Sequence, residues 1–229
     1  MITSQIIKKI ASQCGADLCG IASVERFKQA PRGFHPKNIF HPTRSVIAFA
    51  RRIPDSAFAS PAPVPYTFLT TLVLNEVYQL TLSIVRELEN LGVTGVPVPS
   101  EPYEYWDRER KTGKGILSLR HAAHLAGMGV IGKNHLLTNR NYGNRITLGA
   151  VLTDVKLSPD PIGHEPRCPP ECKMCRTVCP VKAIRDEGVI QKLCRSKGEG
   201  FNEKGYYLYW CRACREKCPN SKGQIRKKL

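Results

Sequence analysis

Acid is what this sequence has little of. It carries 19 Asp and Glu against 35 Lys and Arg, a formal charge of +16. It also lacks a long hydrophobic run: no stretch approaches the ~18 apolar residues of a membrane span. Met1 to Ile10 holds two lysines and no apolar run long enough for a secretory leader. These absences argue against a membrane protein and set the expected location as a reducing cytoplasm. A disulfide framework suits small secreted chains, and 229 residues without a leader do not fit one.

Cysteine, by contrast, is abundant, and its spacing organises the chain. The order is Cys168-x3-Cys172-x2-Cys175-x3-Cys179-Pro180, a separate Cys194, then Cys211-x2-Cys214-x3-Cys218-Pro219. The second motif repeats the end of the first at an offset of 39 residues, down to the arginine after the middle cysteine, so the site reads as duplicated. Thiolates are the ligands that iron–sulfur clusters select. In bacterial two-cluster ferredoxins the cysteine before proline ligates the other cluster. On that pattern Cys168, Cys172 and Cys175 hold one 4Fe-4S cluster with Cys218, and Cys194, Cys211 and Cys214 hold a second with Cys179. Zinc would also accept two sets of four cysteines, but its ribbon pattern of paired Cys-x2-Cys lacks the x3-Cys-Pro ending. The spacing departs from ferredoxins in the first x3 and in Cys194, which lies 17 residues upstream of Cys211. Each Cys-Pro is expected to open a short helix, as over Val181 to Arg185.

Basic charge is densest around the cysteines: residues 161–229 hold 16 Lys and Arg against 7 acids, and residues 1–160 hold 19 against 12. Two clusters with deprotonated thiols lower the net charge to about +12. The remaining excess suits an acidic electron donor such as a flavodoxin or ferredoxin, or the phosphates of a nucleic acid. The tail from Lys222 to Lys228 would serve the second, although such ends are commonly solvated.

About 160 residues precede the cysteines, so the chain is more than a ferredoxin. Thr3 or Ser4 caps a helix with Ile6, Ile7, Ile10 and Cys14 on one face, and Asp17 to Ser23 reads as a strand. Cys14 and Cys19 sit on apolar positions and read as core residues. Further strands are expected over Ser45 to Ala50, Val93 to Val98 and Ile146 to Thr153. Arg51 and Arg52 close the first of these, as a solvated strand end or beside an anionic cofactor. A helix over Phe68 to Leu91 carries Leu69, Leu72, Val73, Val77, Leu80, Ile84, Leu88 and Leu91 on one stripe. A polar loop follows with Tyr103, Tyr105, Trp106 and Asp107. Next come a helix with His121 and His124, assigned to packing or capping, and a loop with Gly127, Gly129 and Gly132 that allows close backbone approach to a ligand. Helices alternating with strands indicate a layered domain.

The run Ala126-Gly-Met-Gly-Val-Ile-Gly-Lys-Asn134, then Leu148-Gly-Ala-Val-Leu-Thr-Asp154, Leu157-Ser-Pro-Asp160 and the cysteines, resembles epoxyqueuosine reductases and the related reductive dehalogenases. Gly15 to Ala22 and Arg44 to Ile47 look similar as well. The resemblance implies an α+β chain: an α/β layered nitroreductase-like domain over 1–160 that could bind a corrinoid, then a two-cluster ferredoxin-like domain over 161–229. It implies an iron–sulfur oxidoreductase passing electrons to a small-molecule substrate or to cobalamin. The cobalamin would lie against Gly127, Gly129, Gly132, Lys133, Asn134 and the strand near Gly149. Epoxyqueuosine reductases carry an acidic proton donor at a place falling near Gly113, and no Asp or Glu lies between Lys111 and Arg120. Tyr103, Tyr105 and Asp107 are the candidate donors in its stead. The family continues into a helical-repeat domain that grips tRNA, whereas this sequence ends at Leu229. A protein that only transfers electrons, or a tRNA-modifying reductase, are the alternatives.

Overall fold

A computed structural model describes residues 2–165 and 168–224. Most of the basic tail, from Ile225 to Leu229, lies outside the described residues.

Helix α1 (Ser4–Gln13) begins where the Thr3 hydroxyl accepts the Ile6 N–H at 3.3 Å, and it turns Ile7 and Ala11 inward. Strand β1 (Leu18–Ser23) leads through a 3₁₀ turn and the short α2 (Pro36–Ile39) into β2 (Ser45–Arg52), which is buried from Ser45 to Ala50. Helix α3 (Pro63–Asn90) starts five residues before the expected Phe68, because prolines in its first turn need no N–H partner there. Its buried face is Tyr66, Val73, Val77, Leu80, Thr81, Ile84 and Leu88. Leu72 and Leu91, expected on that stripe, are exposed.

Strand β3 (Gly95–Val98) and the hairpin β4 (Tyr105–Asp107) and β5 (Thr112–Lys114) precede α4 (Leu119–Leu125). A small ribbon of β6 (Val130–Ile131) and β7 (Leu137–Thr138) then carries the chain to β8 (Ile146–Thr153). The main sheet has the order β1-β2-β8-β3, and every pairing in it is antiparallel. Side chains alternate across it. Ile21, Ile47, Phe49 and Val151 pack with α1 and α3 on one face. Ala22, Val46, Ala48, Ala50 and Leu152 pack with Ala122, Ala123 and Ala126 of the α4 region on the other. The layering is thus helix, sheet, helix, as mixed α and β order requires.

Among the described residues α3 is the one helix long and apolar enough to cross a membrane by length and composition. The sequence reading found no such run because Asn75, Glu76 and Gln79 interrupt it. Here α3 packs against β8 and β3.

The cysteine segment contains α5 (Met174–Thr177), α6 (Gln191–Gly198), the hairpin β9 (Glu199–Phe201) and β10 (Tyr207–Tyr209), and α7 (Ala213–Glu216). The repeat seen in sequence is visible as α5 and α7, each holding the middle cysteine of its motif and packed on each other. The helix expected over Val181 to Arg185 is absent. Lys182 has φ of 48°, which breaks helical geometry, and Ile184 instead bridges to Val189.

Candidate functional site

Cys168, Cys172, Cys175 and Cys218 line one cavity, with Lys133, Asn134 and Met174 among the other residues of its wall. Burial raises the thiol pKa of Cys175, and the neighbouring Cys168 and Cys172 raise it further. Cys218 is raised by burial and then by the same trio. Cys218 arrives there from the second motif, 50 residues beyond Cys168 in sequence, because α7 packs on α5.

The other four cysteines also gather. Burial pushes the Cys214 thiol up to about 11, Arg215 draws it down, and Cys194, Cys211 and Cys179 press it upward. Cys194 is raised by burial, then by Cys179 and Cys211, although the residue as a whole is exposed. The Cys179 sulfur accepts the Ala183 N–H at 3.2 Å. Among the described residues no three His, Cys, Asp or Glu side chains stand close enough to share a single metal ion.

Two glycines of the loop singled out above are required by backbone packing. Gly127 and Gly129 have φ of 76° and 157°, and side chains there would collide with the carbonyls of Pro161 and Thr138. Their bareness serves backbone against backbone. Gly132 is nearest the cysteines: a methyl group on it would stand 3.6 Å from the Cys168 sulfur. Gly149 lies opposite Phe49 in the sheet, and a side chain on it would meet Phe49 at 2.5 Å and Val77 at 2.9 Å. It is a packing glycine beneath α3, on the face away from the loop.

Lys133 and Asn134 are the brackets between the two halves of the chain. The Lys133 ammonium donates to the carbonyls of Pro169 at 2.9 Å, Pro170 at 2.6 Å and Cys172 at 3.1 Å. Asn134 Nδ2 donates to the Cys214 carbonyl at 3.1 Å, and its Oδ1 accepts the Leu136 N–H at 3.2 Å. One dipeptide thereby holds a loop from each cysteine motif. Nothing in its sequence context announced this partnership.

Beside the first quartet opens a cleft of about 480 Å³ lined by His124, Val130, Ile131, Lys133, His164 and Cys168. Cys168 and Lys133 belong to both walls. His124 Nδ1 lies 2.8 Å from the Gly129 carbonyl. A carbonyl only accepts, so Nδ1 carries the proton and Nε2 of the neutral ring keeps its lone pair. His121 instead pairs with the Ser118 hydroxyl at 2.7 Å, and burial, then Arg120, lowers its pKa.

The three candidate proton donors lie elsewhere, on or just before the β4–β5 hairpin, which is docked on α6. Gln191 accepts the Gly113 N–H at 2.9 Å and donates to its carbonyl at 3.2 Å. The Arg195 guanidinium lies 5.3 Å from the Tyr103 ring centre and 5.0 Å from that of Trp106. It also donates to the Tyr103 hydroxyl at 3.0 Å and to Glu199 at 2.6 Å. Tyr103 therefore sits beside the residue that follows Cys194, with its own proton free to donate. Tyr105 is exposed, under Lys114. Asp107 accepts the Arg110 N–H at 2.8 Å. The cleft wall contains none of the three. Arg51 is likewise committed, to Asp17, Glu76 and the Gly15 carbonyl. Cys19, with its thiol pushed to about 12 by burial, fits its core reading.

No family model matches this chain. Epoxyqueuosine reductase of Bacillus subtilis (strain 168) is 35% identical to it over 120 residues, which cover 48% of this chain and 31% of that protein. The aligned part is thus about a third of the curated relative's length. Among solved structures, epoxyqueuosine reductase with an epoxyqueuosine-modified tRNA-Tyr stem loop superposes with a TM-score of 0.65 at 18% identity, over 97% of this chain and 67% of the other. A reductive dehalogenase whose structure suggested a mechanism for B12-dependent dehalogenation superposes at 0.61 with 15% identity, over 97% and 32%. At these identities the superpositions speak for the fold. The chain is therefore similar in sequence to epoxyqueuosine reductases over about half its length, and shares its mixed helix-and-sheet fold with them and with reductive dehalogenases over nearly all of it.

Proposed function

We propose that this chain is the redox core of an iron–sulfur reductase of the epoxyqueuosine reductase type. The observation that carries the reading is the gathering of eight cysteines into two quartets, each drawing one member from across the repeat. The x3-Cys-Pro endings of both motifs favour clusters over a zinc ribbon of paired Cys-x2-Cys. The donor set fits two 4Fe-4S clusters, one held by Cys168, Cys172, Cys175 and Cys218, the other by Cys179, Cys194, Cys211 and Cys214. Residues 161–229 form this ferredoxin-like part, and residues 1–160 form the nitroreductase-like part that receives the electrons.

The cleft beside Cys168 fits part of a large, flat, amphipathic cofactor such as cobalamin: Val130 and Ile131 offer apolar surface, and His124 Nε2 offers a polar contact. Bound in these sites, the clusters supply one-electron transfer and a corrinoid supplies a strongly reducing metal centre next to the substrate. Lys133 and Asn134 hold the cysteine loops in register with the cleft. The Ala183 N–H hydrogen-bonded to the Cys179 sulfur raises the potential there. The Tyr103 hydroxyl, oriented by Arg195, is the group best placed to give up a proton on the hairpin side. The physiological substrate would be a small reducible molecule or a modified tRNA, the latter matching the net charge of +16.

Anaerobic reconstitution with iron and sulfide, with and without cobalamin, tests the reading. Iron content near eight per chain and a gel-filtered base-off cob(II)alamin EPR signal support it in full. Eight irons without retained corrinoid reduce it to an electron carrier. Stoichiometric zinc with no acid-labile sulfide overturns it.

A further inference from the structure

The segment separating Cys194 from Cys211 has no counterpart in the compact ferredoxin spacing, and the structure shows what fills it. Strands β9 and β10 form a hairpin rigidly mounted on both sides. At its base the Trp210 and Cys211 N–H groups both point to the Gly198 carbonyl, at 2.8 and 3.2 Å. At the end nearer α3 Tyr209 packs edge-on against Tyr66, and its N–H donates to the Thr67 hydroxyl at 2.9 Å. Even the tip is built: Asn202 Oδ1 accepts the N–H groups of Lys204 at 3.0 Å and Tyr206 at 2.9 Å.

Toward the tip the same face becomes apolar and bare, where the Tyr207 ring stands 5.7 Å from Tyr209 and 5.4 Å from Phe201. Phe201 is 73% exposed and Tyr206 67%, beside Tyr207, Trp210 and Leu193. Aromatic residues held in the open on ordered backbone mark contact surfaces. The same stretch carries the exposed Lys192, Lys197 and Lys204, with Glu203 the one exposed acid between Ile190 and Lys217. The arginines of this stretch are already engaged: Arg195 with Glu199, Arg212 with Glu216, Arg215 with the Asn144 carbonyl. Cys194, the exposed member of the second quartet, follows Leu193 directly in α6.

We propose that this lysine-bearing aromatic platform is the docking surface for an acidic electron-carrier protein, and that the Cys179, Cys194, Cys211 and Cys214 site is where electrons enter. In each encounter one electron leaves the carrier's reduced flavin or cluster and is taken up at that site; no bond is made and the carrier departs oxidised by one electron. Lysines attract the acidic carrier at long range, and the aromatic faces give a small contact that forms and parts quickly, as electron-transfer encounters under ~1,200 Å² do. The other quartet, which shares Cys168 with the cleft, lies toward the substrate side. The inference rests on the cluster reading above.

Stopped-flow mixing of a reduced flavodoxin with the reconstituted full chain tests it, with dithionite as a small reductant that needs no docking. The double variants Phe201→Ser with Tyr206→Ser, and Lys197→Glu with Lys204→Glu, should each lower the second-order rate with flavodoxin about tenfold or more. The charge variant should also flatten the rate's dependence on salt. Iron content, cluster EPR and the dithionite rate should stay as in the unaltered chain. Flavodoxin rates within twofold of the unaltered chain in both variants would overturn the docking surface, while the dithionite result would leave the cluster reading standing. If instead the variants abolish self-association or binding of a tRNA stem loop and leave the flavodoxin rate intact, the platform serves a second copy or an RNA and the proposal fails. Absence of any dithionite-reducible cluster in the unaltered chain would sink both readings.

Discussion

Asn134 donates its side-chain N–H to the backbone carbonyl of Cys214 at 3.1 Å, while Lys133 beside it reaches three carbonyls around Cys168 and Cys172. These bonds cross between the two halves of the chain, so their loss should loosen the joint rather than the core. Asn134→Leu leaves the Cys214 carbonyl without its donor and should cost about 1–3 kcal/mol. Urea unfolding of the reconstituted protein would show a lower midpoint. Lys133→Met should cost as much, because a charged donor is removed from three acceptors.

Asp160 ties the start of the chain to the segment leading into the cysteines. Its Oδ2 accepts the Ile21 N–H at 2.8 Å, its other oxygen pairs with Lys8, and Arg26 donates to its backbone carbonyl at 2.6 Å. Lys8 is 36% exposed, so Lys8→Ala should cost only about 0–1 kcal/mol. Asp160→Ala should cost about 1–3 kcal/mol, since it leaves a backbone N–H of the central sheet unsatisfied. Equal losses in the two variants, measured by denaturant titration, would contradict this division.

Gly149 and Gly115 should respond oppositely to a methyl group. At Gly149 it meets Phe49 and Val77 within 3.0 Å beneath α3, and overpacking of that kind costs about 1–3 kcal/mol. At Gly115 the nearest atom is the Leu117 carbonyl at 3.6 Å, so Gly115→Ala should leave the melting temperature nearly unchanged. A Gly149→Ala variant that loses bound cobalamin without losing stability would return that residue to the cofactor.

Alkaline stability should depend on Tyr209. Burial, followed by Glu101, pushes its hydroxyl from 10.0 up to about 12. The folded chain therefore holds the phenolic proton more tightly than the unfolded one. That contribution is complete below pH 10 and is lost as pH rises through about 12. Tyr207 is raised in the same direction by burial and by Glu199. Tyr209→Phe should make stability fall less steeply over this range, with little change in pH slope near neutrality.

Much of this was written in local pattern, and the rest depended on contacts across the chain. Periodicity placed α1, β2, β8 and most of α3, because apolar spacing alone decides which face is buried. The repeat of Cys175 and Cys214 pointed to a duplicated site, and the structure carries it as the paired short helices α5 and α7. Strand order was not legible, since antiparallel pairing of β2 with β8 spans nearly a hundred intervening residues whose path no local signal records. The roles of Lys133, Asn134 and Gly149 were hidden for the same reason: glycine, lysine and asparagine look alike in sequence whether their neighbour is a cofactor or another stretch of backbone. Lys182 misled more simply, as a residue after Cys-Pro that adopts a left-handed conformation in place of a helical one.

The crossed arrangement of the cysteines is the centre of the account, and iron content of two double variants tests it most directly. Cys172→Ala with Cys218→Ala should remove one site twice over and retain about four irons per chain. Cys214→Ala with Cys218→Ala should damage both sites and retain almost none. The reverse, about four irons with Cys214 and Cys218 replaced together and almost none with Cys172 and Cys218, would contradict the crossing and return each motif to a site of its own.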